Sequence, residues 1–239
     1  MGRPILLVHG AWHGAWCWDR VVSHLQAPDR RVVAIDLPGH GAETTPPGEV
    51  TLDLLAARVC EALAEFDEPA VVVGHSMGGL VISQAAERCP DRTVRLVFVA
   101  AFLVHDGETL LSITENDPND VVHPNIVFND DRTTAALRPE AVRDLFFGDC
   151  SDEDAAWAAA RLVPEPTAPF GTPLQVTNGR FGSIPRTYVH CTEDRALSMA
   201  IQEQMVADVG VDDVATLAAS HSPFLSMPQQ LAEIIASAG

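Results

Sequence analysis

Apolar positions in the first hundred residues follow two alternating patterns. Short runs rich in Val, Ile and Leu are each followed by a longer stretch whose apolar residues recur at helical spacing. Strands that are apolar at nearly every position are typical of a parallel sheet covered by helices on both faces. The pattern predicts strands at residues 4–9, 31–36, 70–75 and 94–100, with helices at 18–25, 52–66 and 77–88.

The regular alternation stops near residue 103 and resumes near residue 185. The section between these points holds many of the prolines and one predicted helix, at 152–162. Beyond it, the pattern predicts strands at 186–191 and 213–217 and helices at 199–209 and 228–236. Compact domains rarely contain structureless loops of this length. We therefore expect a single structural domain, with an α/β core at 1–102 and 185–239 and a mostly helical cap at 103–184, inserted after the fourth strand.

The composition and charge of the chain exclude several kinds of binding partner and chemistry. The 239 residues are 47% hydrophobic and 20% charged, which suits one large globular core. A formal net charge of −18 argues against nucleic acid as a partner, because phosphate binding needs clustered basic side chains. All 15 basic residues are Arg, so Schiff-base chemistry and a P-loop lysine are excluded. A homodimer is compatible with the sequence.

Five cysteines are scattered along the chain without any C-x-x-C pair: Cys17, Cys60, Cys89, Cys150 and Cys191. We expect them to be reduced thiols used as small apolar residues. The first residues run directly into a strand pattern, without a basic segment followed by a long apolar stretch. The sequence therefore predicts no signal peptide and no membrane insertion, and the expected location is the cytoplasm.

The pentapeptide Gly74-His75-Ser76-Met77-Gly78 lies between a predicted strand and a predicted helix. That context is the one in which a G-x-S-x-G turn presents a nucleophilic serine. The two glycines suit a strained turn, because a β-carbon at either position would collide with the neighbouring strand or helix. An ordinary serine in a glycine-rich loop is the alternative, and the flanking elements disfavour it.

A serine hydroxyl is a weak nucleophile unless a base accepts its proton. Among nine histidines, only His221 follows a late predicted strand and precedes the last helix, so we expect it to be the base. On their positions in the chain, His9 would support its own loop, His75 would point away from the serine, and His190 would pack within a strand.

The base needs an acid that orients it, and in this architecture the acid comes between the serine and the histidine in the chain. The strand predicted at 186–191 is followed by Thr192-Glu193-Asp194. Side chains of adjacent residues do not face the same way, so only one of the two carboxylates can serve. We expect Asp194, which could instead cap the following helix.

Two backbone N–H groups are needed to stabilise an oxyanion. Met77, after the nucleophile, should supply one, and Ala11, in the loop after the first strand, the other. Gly10 lets that loop turn beneath the substrate carbonyl. The expected pocket, roofed by the cap, has the following candidate apolar walls: Trp12, Phe102, Leu103, Phe128, Phe146, Leu162 and Phe224.

Six segments together resemble a known branch of the α/β-hydrolase superfamily: HGAWHGAWCW, DLPGHG, GHSMGG, GDCSDED, FGSIPRTYVHCTED and SHSPFLSMPQQLAEII. The branch contains the plant methylesterases and hydroxynitrile lyases, with bacterial relatives described as carboxylesterases or pyrethroid hydrolases. The resemblance covers nearly the whole chain and is weakest from about residue 104 to 145. It implies an α/β-hydrolase fold and a catalytic triad of Ser76, His221 and Asp194.

The branch includes both hydrolases and carbon–carbon lyases, so the fold does not decide the reaction. The similar lyases carry Thr or Asn where this chain has Gly10, and the Thr-type lyases carry Lys where it has Ser222. Both departures favour hydrolysis of a small hydrophobic ester through an acyl-enzyme, without metal or other cofactor. Hydroxynitrile lyase-like chemistry, cofactor-free carbon–carbon or oxygenase chemistry, and a non-catalytic ligand-binding receptor are the alternatives.

Overall fold

The computed structural model describes residues 2–115 and 117–239. In chain order, its strands are β1 (Ile5–Val8), β2 (Val32–Ile35), β3 (Ala70–His75), β4 (Thr93–Val99), β5 (Ile126–Phe128), β6 (Thr134–Leu137), β7 (Glu165–Pro166), β8 (Arg186–Cys191) and β9 (Asp213–Leu217). Its α-helices are α1 (Asp19–Leu25), α2 (Leu52–Ala64), α3 (Gly78–Arg88), α4 (Leu110–Thr114), α5 (Pro139–Phe146), α6 (Asp152–Ala159), α7 (Met199–Val209), α8 (Pro223–Ser226) and α9 (Pro228–Ser237).

The main sheet has six strands in the order β2-β1-β3-β4-β8-β9, and every neighbouring pair is parallel. Every residue of β1 and β3 is buried. Successive strand residues point to opposite faces, so both faces of the sheet are covered at its centre. Helices α1 and α9 pack together, and so do α2 and α3. The α/β-hydrolase architecture expected from the alternating pattern is confirmed.

The strand order reverses between β1 and β3, since the chain passes from β1 to β2 on one side and then crosses to β3 on the other. In open α/β sheets, ligands bind at such a point, outside the carboxyl ends of the strands. The loop after β1 contains Gly10 and Ala11, and the turn after β3 contains Ser76. The topology therefore brings these two segments to the same edge of the sheet.

We call residues 103–184 the inserted segment. It contains the short helices α4, α5 and α6, in keeping with the expected cap, and also an antiparallel sheet in the order β5-β6-β7. The sequence did not indicate this second sheet. Its strand β7 has two residues and the apolar strand β5 only three, so both are too short for a strand pattern to be recognised.

Cysteine pairing differs from the expectation. Cys60, in α2, and Cys89, directly after α3, form a disulfide with their Cα atoms 6.1 Å apart. Cys17, Cys150 and Cys191 are free and buried. The prediction of reduced thiols is wrong for the first pair, because residues 29 apart in sequence meet only when the two helices pack. Reduced thiols would have agreed with the expected cytoplasmic location, and the disulfide removes that support.

The α-helices of the described residues have between 4 and 13 residues. Within 2–115 and 117–239, none of them combines the length and the apolar character that a bilayer-spanning helix requires.

Candidate active site

Ser76 lies in the two-residue turn between β3 and α3, with a backbone φ of 52°. Positive φ is uncommon for a residue with a side chain, and strain of this kind concentrates at functional sites. A β-carbon at Gly74 would lie 2.6 Å from the carbonyl oxygen of Gly78, and one at Gly78 would lie 2.7 Å from that of His9. The glycines are therefore required for the close approach that the sequence predicted.

His221 lies in the loop between β9 and α8, and its Nδ1 is 2.7 Å from Oδ2 of Asp194. Both side chains are almost completely buried. The other carboxylate oxygen of Asp194 accepts the backbone N–H groups of Ala196 and Leu197 at 2.8 and 2.9 Å. These bonds fix the carboxylate, which in turn favours the tautomer of His221 with its proton on Nδ1. Glu193 is exposed and makes no such contact.

His75, the residue before Ser76, contacts His221. Its Nε2–H donates to the carbonyl oxygen of His221 at 2.8 Å, and the two ring centroids are 4.6 Å apart. Burial, together with the neighbouring histidines, holds the pKa of His75 well below its ordinary value, so the ring is neutral. His75 therefore contacts the backbone of residue 221. His190 is buried within β8.

The carbonyl groups of the loop after β1 are held by two neutral histidines. His9 Nε2 accepts from the backbone N–H of Leu37 at 3.1 Å, so its proton is on Nδ1 and is donated to Gly10 O at 2.8 Å. His13 Nδ1–H donates to Ala11 O at 2.7 Å. Burial lowers the pKa of His13 to about 3. With both carbonyls occupied, the direction of the Ala11 peptide is constrained.

Ala11 and Met77 line a cavity that also contains Ser76 and His221. Within the described residues, neither the Ala11 nor the Met77 backbone N–H donates a hydrogen bond to another protein group. Two amide donors without protein partners beside a serine form an arrangement that can accept a negatively charged oxygen.

The cavity is narrow, with a volume of about 50 Å³. Trp12 and Phe102 contribute to its wall from the core. Two polar side chains of the inserted segment, Thr114 and His123, also line it. Most of the remaining wall is apolar and comes from the inserted segment: Leu110, Leu111, Val122, Ile126, Phe146 and Phe170.

Four of the expected wall residues lie elsewhere. Leu103 lines a different cavity, between the inserted segment and α7. Phe128 is 38% exposed beneath the guanidinium of Arg132, because the short strand β5 lies at the edge of its sheet. Phe224 is fully buried against the ring of His75, and Leu162 lines a pocket that shares only the Trp12 side chain with this one.

Gly10 is also absent from the cavity wall. A β-carbon there would lie 2.7 Å from Cβ of Ser76. Gly10 therefore lies directly against Ser76, where its lack of a side chain permits the contact.

Sequence reasoning missed helix α4, which supplies Leu110 and Leu111 to the wall. A signal was present: the side chains of Thr109 and Ser112 form a capping box at its start. The buried pair of His40 and Glu165, with Nε2 and Oε2 2.6 Å apart, was missed as well. These residues are 125 positions apart in sequence, so no local pattern joins them.

The chain matches the alpha/beta hydrolase family over residues 5–234 and belongs to that family. It is 34% identical to a pyrethroid hydrolase of Sphingobium wenxiniae, over 97% of this chain and 86% of that protein. It is 31% identical to methylesterase 7 of Arabidopsis thaliana, over 98% of this chain and 95% of that protein. The crystal structure of a pyrethroid hydrolase from Sphingobium faniae matches with a TM-score of 0.87 and 32% identity, covering 98% of this chain and 96% of the other. The family predicted from the motifs is confirmed, and the chain groups with its esterase-type members.

Proposed function

We propose that this protein is a serine carboxylesterase that hydrolyses a small hydrophobic ester through an acyl-enzyme. One observation carries the proposal: Ser76, on a strained turn, shares a cavity with His221, whose ring is bonded to the buried carboxylate of Asp194 at 2.7 Å. The names of the relatives support the same reaction class.

In the first half-reaction, Ser76 Oγ attacks the ester carbonyl carbon while His221 Nε2 accepts the hydroxyl proton. The backbone N–H groups of Ala11 and Met77 stabilise the tetrahedral oxyanion, and a single donor of this kind contributes about 3–4 kcal/mol. As the carbon–oxygen bond of the ester breaks, His221 gives its proton to the departing alkoxide. The alcohol leaves, and the acyl group remains on Ser76.

In the second half-reaction, water attacks the acyl carbonyl while His221 accepts one of its protons. The same two amides hold the second oxyanion. Collapse of this intermediate returns the proton to Ser76 Oγ and releases the carboxylic acid. Asp194 remains ionised and stabilises the imidazolium form of His221 in both halves.

The cavity supports a small, apolar substrate. Its volume of about 50 Å³ is far below the ~300–1,000 Å³ of pockets for drug-sized ligands, and apolar side chains form most of its wall. We expect turnover of p-nitrophenyl esters to be fastest for acetate and to fall as the acyl chain lengthens. A faster rate with the octanoate ester would refute the size argument.

The catalytic assignment is tested by comparing the wild type with Ser76→Ala, using Ser23→Ala, at an exposed helical serine, as the control. We expect p-nitrophenyl acetate turnover and labelling by a fluorophosphonate to disappear only in Ser76→Ala. Equal turnover in all three proteins would contradict the assignment. Benzaldehyde release from mandelonitrile would favour the lyase alternative, oxygen consumption the oxygenase alternative, and tight binding without turnover the receptor alternative.

A further inference from the structure

Trp12, the residue after Ala11, forms three hydrogen bonds with the inserted segment. Its φ is 62°, which is unusual for a bulky residue. Its backbone N–H donates to Oε2 of Glu165 at 2.7 Å, and its indole Nε1–H donates to the carbonyl of Ala135 at 2.8 Å. Its carbonyl accepts from the N–H of Val163 at 3.0 Å. Every hydrogen-bonding group of this residue is therefore satisfied.

These contacts are themselves ordered by the second sheet. Ala135 of β6 and Glu165 of β7 are paired directly across the antiparallel ladder. The indole contact and the amide contact of Trp12 therefore come from neighbouring points of one small sheet. A shift of β6 would move the acceptor of the indole, and a shift of β7 would move the acceptor of the backbone N–H.

Glu165 also faces the ring of His40. Its Oε2 lies 2.6 Å from Nε2 of His40, and both side chains are 0% exposed. His40 Nδ1 faces the carbonyl oxygen of Pro38 at 3.2 Å. Oε2 of Glu165 also accepts the Trp12 N–H. His40 Nδ1 faces an oxygen that only accepts, so it carries a proton, and a second proton on Nε2 pairs the ring with Glu165.

The pKa of His40 agrees with this protonation state. Burial acts against the charge, but the carboxylate of Glu165 and its hydrogen bond outweigh it, so the pKa of His40 is raised.

The loop that carries His40 is the DLPGHG segment, and it packs tightly against β7. Gly39 has a φ of 84°, and a β-carbon there would lie 3.0 Å from Cγ of Pro166. This close approach presents His40 to Glu165 at a fixed distance. The segment thus has a structural task that its sequence did not reveal.

We propose that the buried His40–Glu165 ion pair is a positioning device for the oxyanion loop: the carboxylate holds the Trp12 N–H and so keeps the preceding Ala11 N–H directed at the substrate. This inference rests on the proposed function. His40 and Glu165 are positioning residues, since neither lines the cavity. Their contribution should stabilise the transition state, in which charge develops on the substrate oxygen, and should hardly change the binding of the neutral ester.

The test uses Glu165→Gln and Glu165→Ala in the full-length enzyme, with Glu140→Gln, at an exposed carboxylate of the inserted segment, as the matched control. The amide removes the charge and keeps an acceptor, whereas alanine removes both. We expect kcat for p-nitrophenyl acetate to fall about 10-fold in the first variant and about 100-fold in the second, with KM within about twofold of wild type. The control should match the wild type.

A pH profile separates positioning from general stability. Four titratable groups surround His40: Glu165, the neutral rings of His9 and His13, and the carboxylate of Asp36. Since the pKa of His40 is raised, kcat of the wild type should fall as pH rises through it. This alkaline decline should be absent from Glu165→Gln. Unchanged kcat, or identical pH profiles in the wild type and Glu165→Gln, would overturn the proposal.

A second measurement does not depend on catalysis. Hydrogen–deuterium exchange of the segment around Trp12 should accelerate at least about tenfold in Glu165→Ala, because its N–H loses its partner. Unchanged exchange would overturn the positioning role. If the wild type and Ser76→Ala both lack turnover, the proposed function fails, and the exchange result still decides whether the ion pair holds the loop.

Discussion

Gly10 lies against the proposed nucleophile, and its replacement by alanine tests the oxyanion hole directly. The new β-carbon would lie 2.7 Å from Cβ of Ser76, and 2.9 Å from both Nδ1 and the carbonyl oxygen of His75. Ordinary van der Waals contact begins at 3.4 Å, so 2.7 Å falls short by about 0.7 Å. None of these neighbours is the free end of a flexible side chain, so the loop after β1 or the turn that carries Ser76 must move.

A displacement of this size should be costly for catalysis. Misplacing a reacting group by about 1 Å can lower a rate about 100-fold, so we expect Gly10→Ala to lower kcat by about 10- to 100-fold. That corresponds to about 1.4–2.7 kcal/mol of transition-state stabilisation. Overpacking should lower the free energy of unfolding by about 1–3 kcal/mol.

The assay is p-nitrophenyl acetate turnover per folded molecule, combined with urea denaturation. Gly179→Ala is the matched control, because a β-carbon there would have no atom within 4 Å. Wild-type kcat and stability in Gly10→Ala would show that the loop adapts freely. A loss of stability with unchanged kcat would instead remove Ala11 from the proposed oxyanion hole.

Three further predictions concern the acid, the disulfide and acid stability. Asp194→Asn should lower kcat by about 10³- to 10⁴-fold, whereas Glu193→Gln should not change it; equal losses in steady-state assays would contradict the assignment. Replacing Cys60 and Cys89 together by serine should lower the unfolding free energy in urea by about 3–4 kcal/mol, given their separation of 29 residues, and leave kcat unchanged. An unshifted denaturation midpoint would refute the first part. His13, with a pKa lowered to about 3 by burial, binds its proton only after unfolding in the range between that value and about 6.5. As the pH is lowered from about 6.5, the free energy of unfolding should therefore decrease by up to about 1.4 kcal/mol per pH unit for this group. His13→Asn should flatten the plot of unfolding free energy, measured in urea, against pH; identical slopes in the two proteins would contradict the prediction.

Much of the core was predictable because its signals are local. The Val-rich strand before Ser76 and the helical spacing after it identify the turn, and the structure has strand β3 and helix α3 there. Gly74 and Gly78 were expected to be indispensable on steric grounds, and the close approaches at both positions agree. The choice of Asp194 over Glu193 followed from position in the chain, and the bond to His221 is made by Asp194.

The pocket was harder to predict than the turn. An apolar side chain in the inserted segment can face the cavity, the core or solvent, and the sequence pattern does not distinguish these three positions. Phe146 lines the cavity, whereas Phe128 lies beneath the guanidinium of Arg132 and Leu162 lines a separate pocket. The direction of each side chain depends on how the segment folds back over the core.

The sequence by itself predicted the strands of the main sheet and most of the helices that alternate with them, and it offered candidates for nucleophile, base and acid. The elements follow from periodicity and turn chemistry, which act over a few neighbouring residues, and the family follows from the resemblance of short motifs. Only the tertiary structure decided the disulfide between Cys60 and Cys89, the walls of the cavity, and the contact of Glu165 with Trp12 across 153 positions. The physical reason is that such contacts depend on the packing of distant elements, and this packing leaves no periodic trace in the residues it joins.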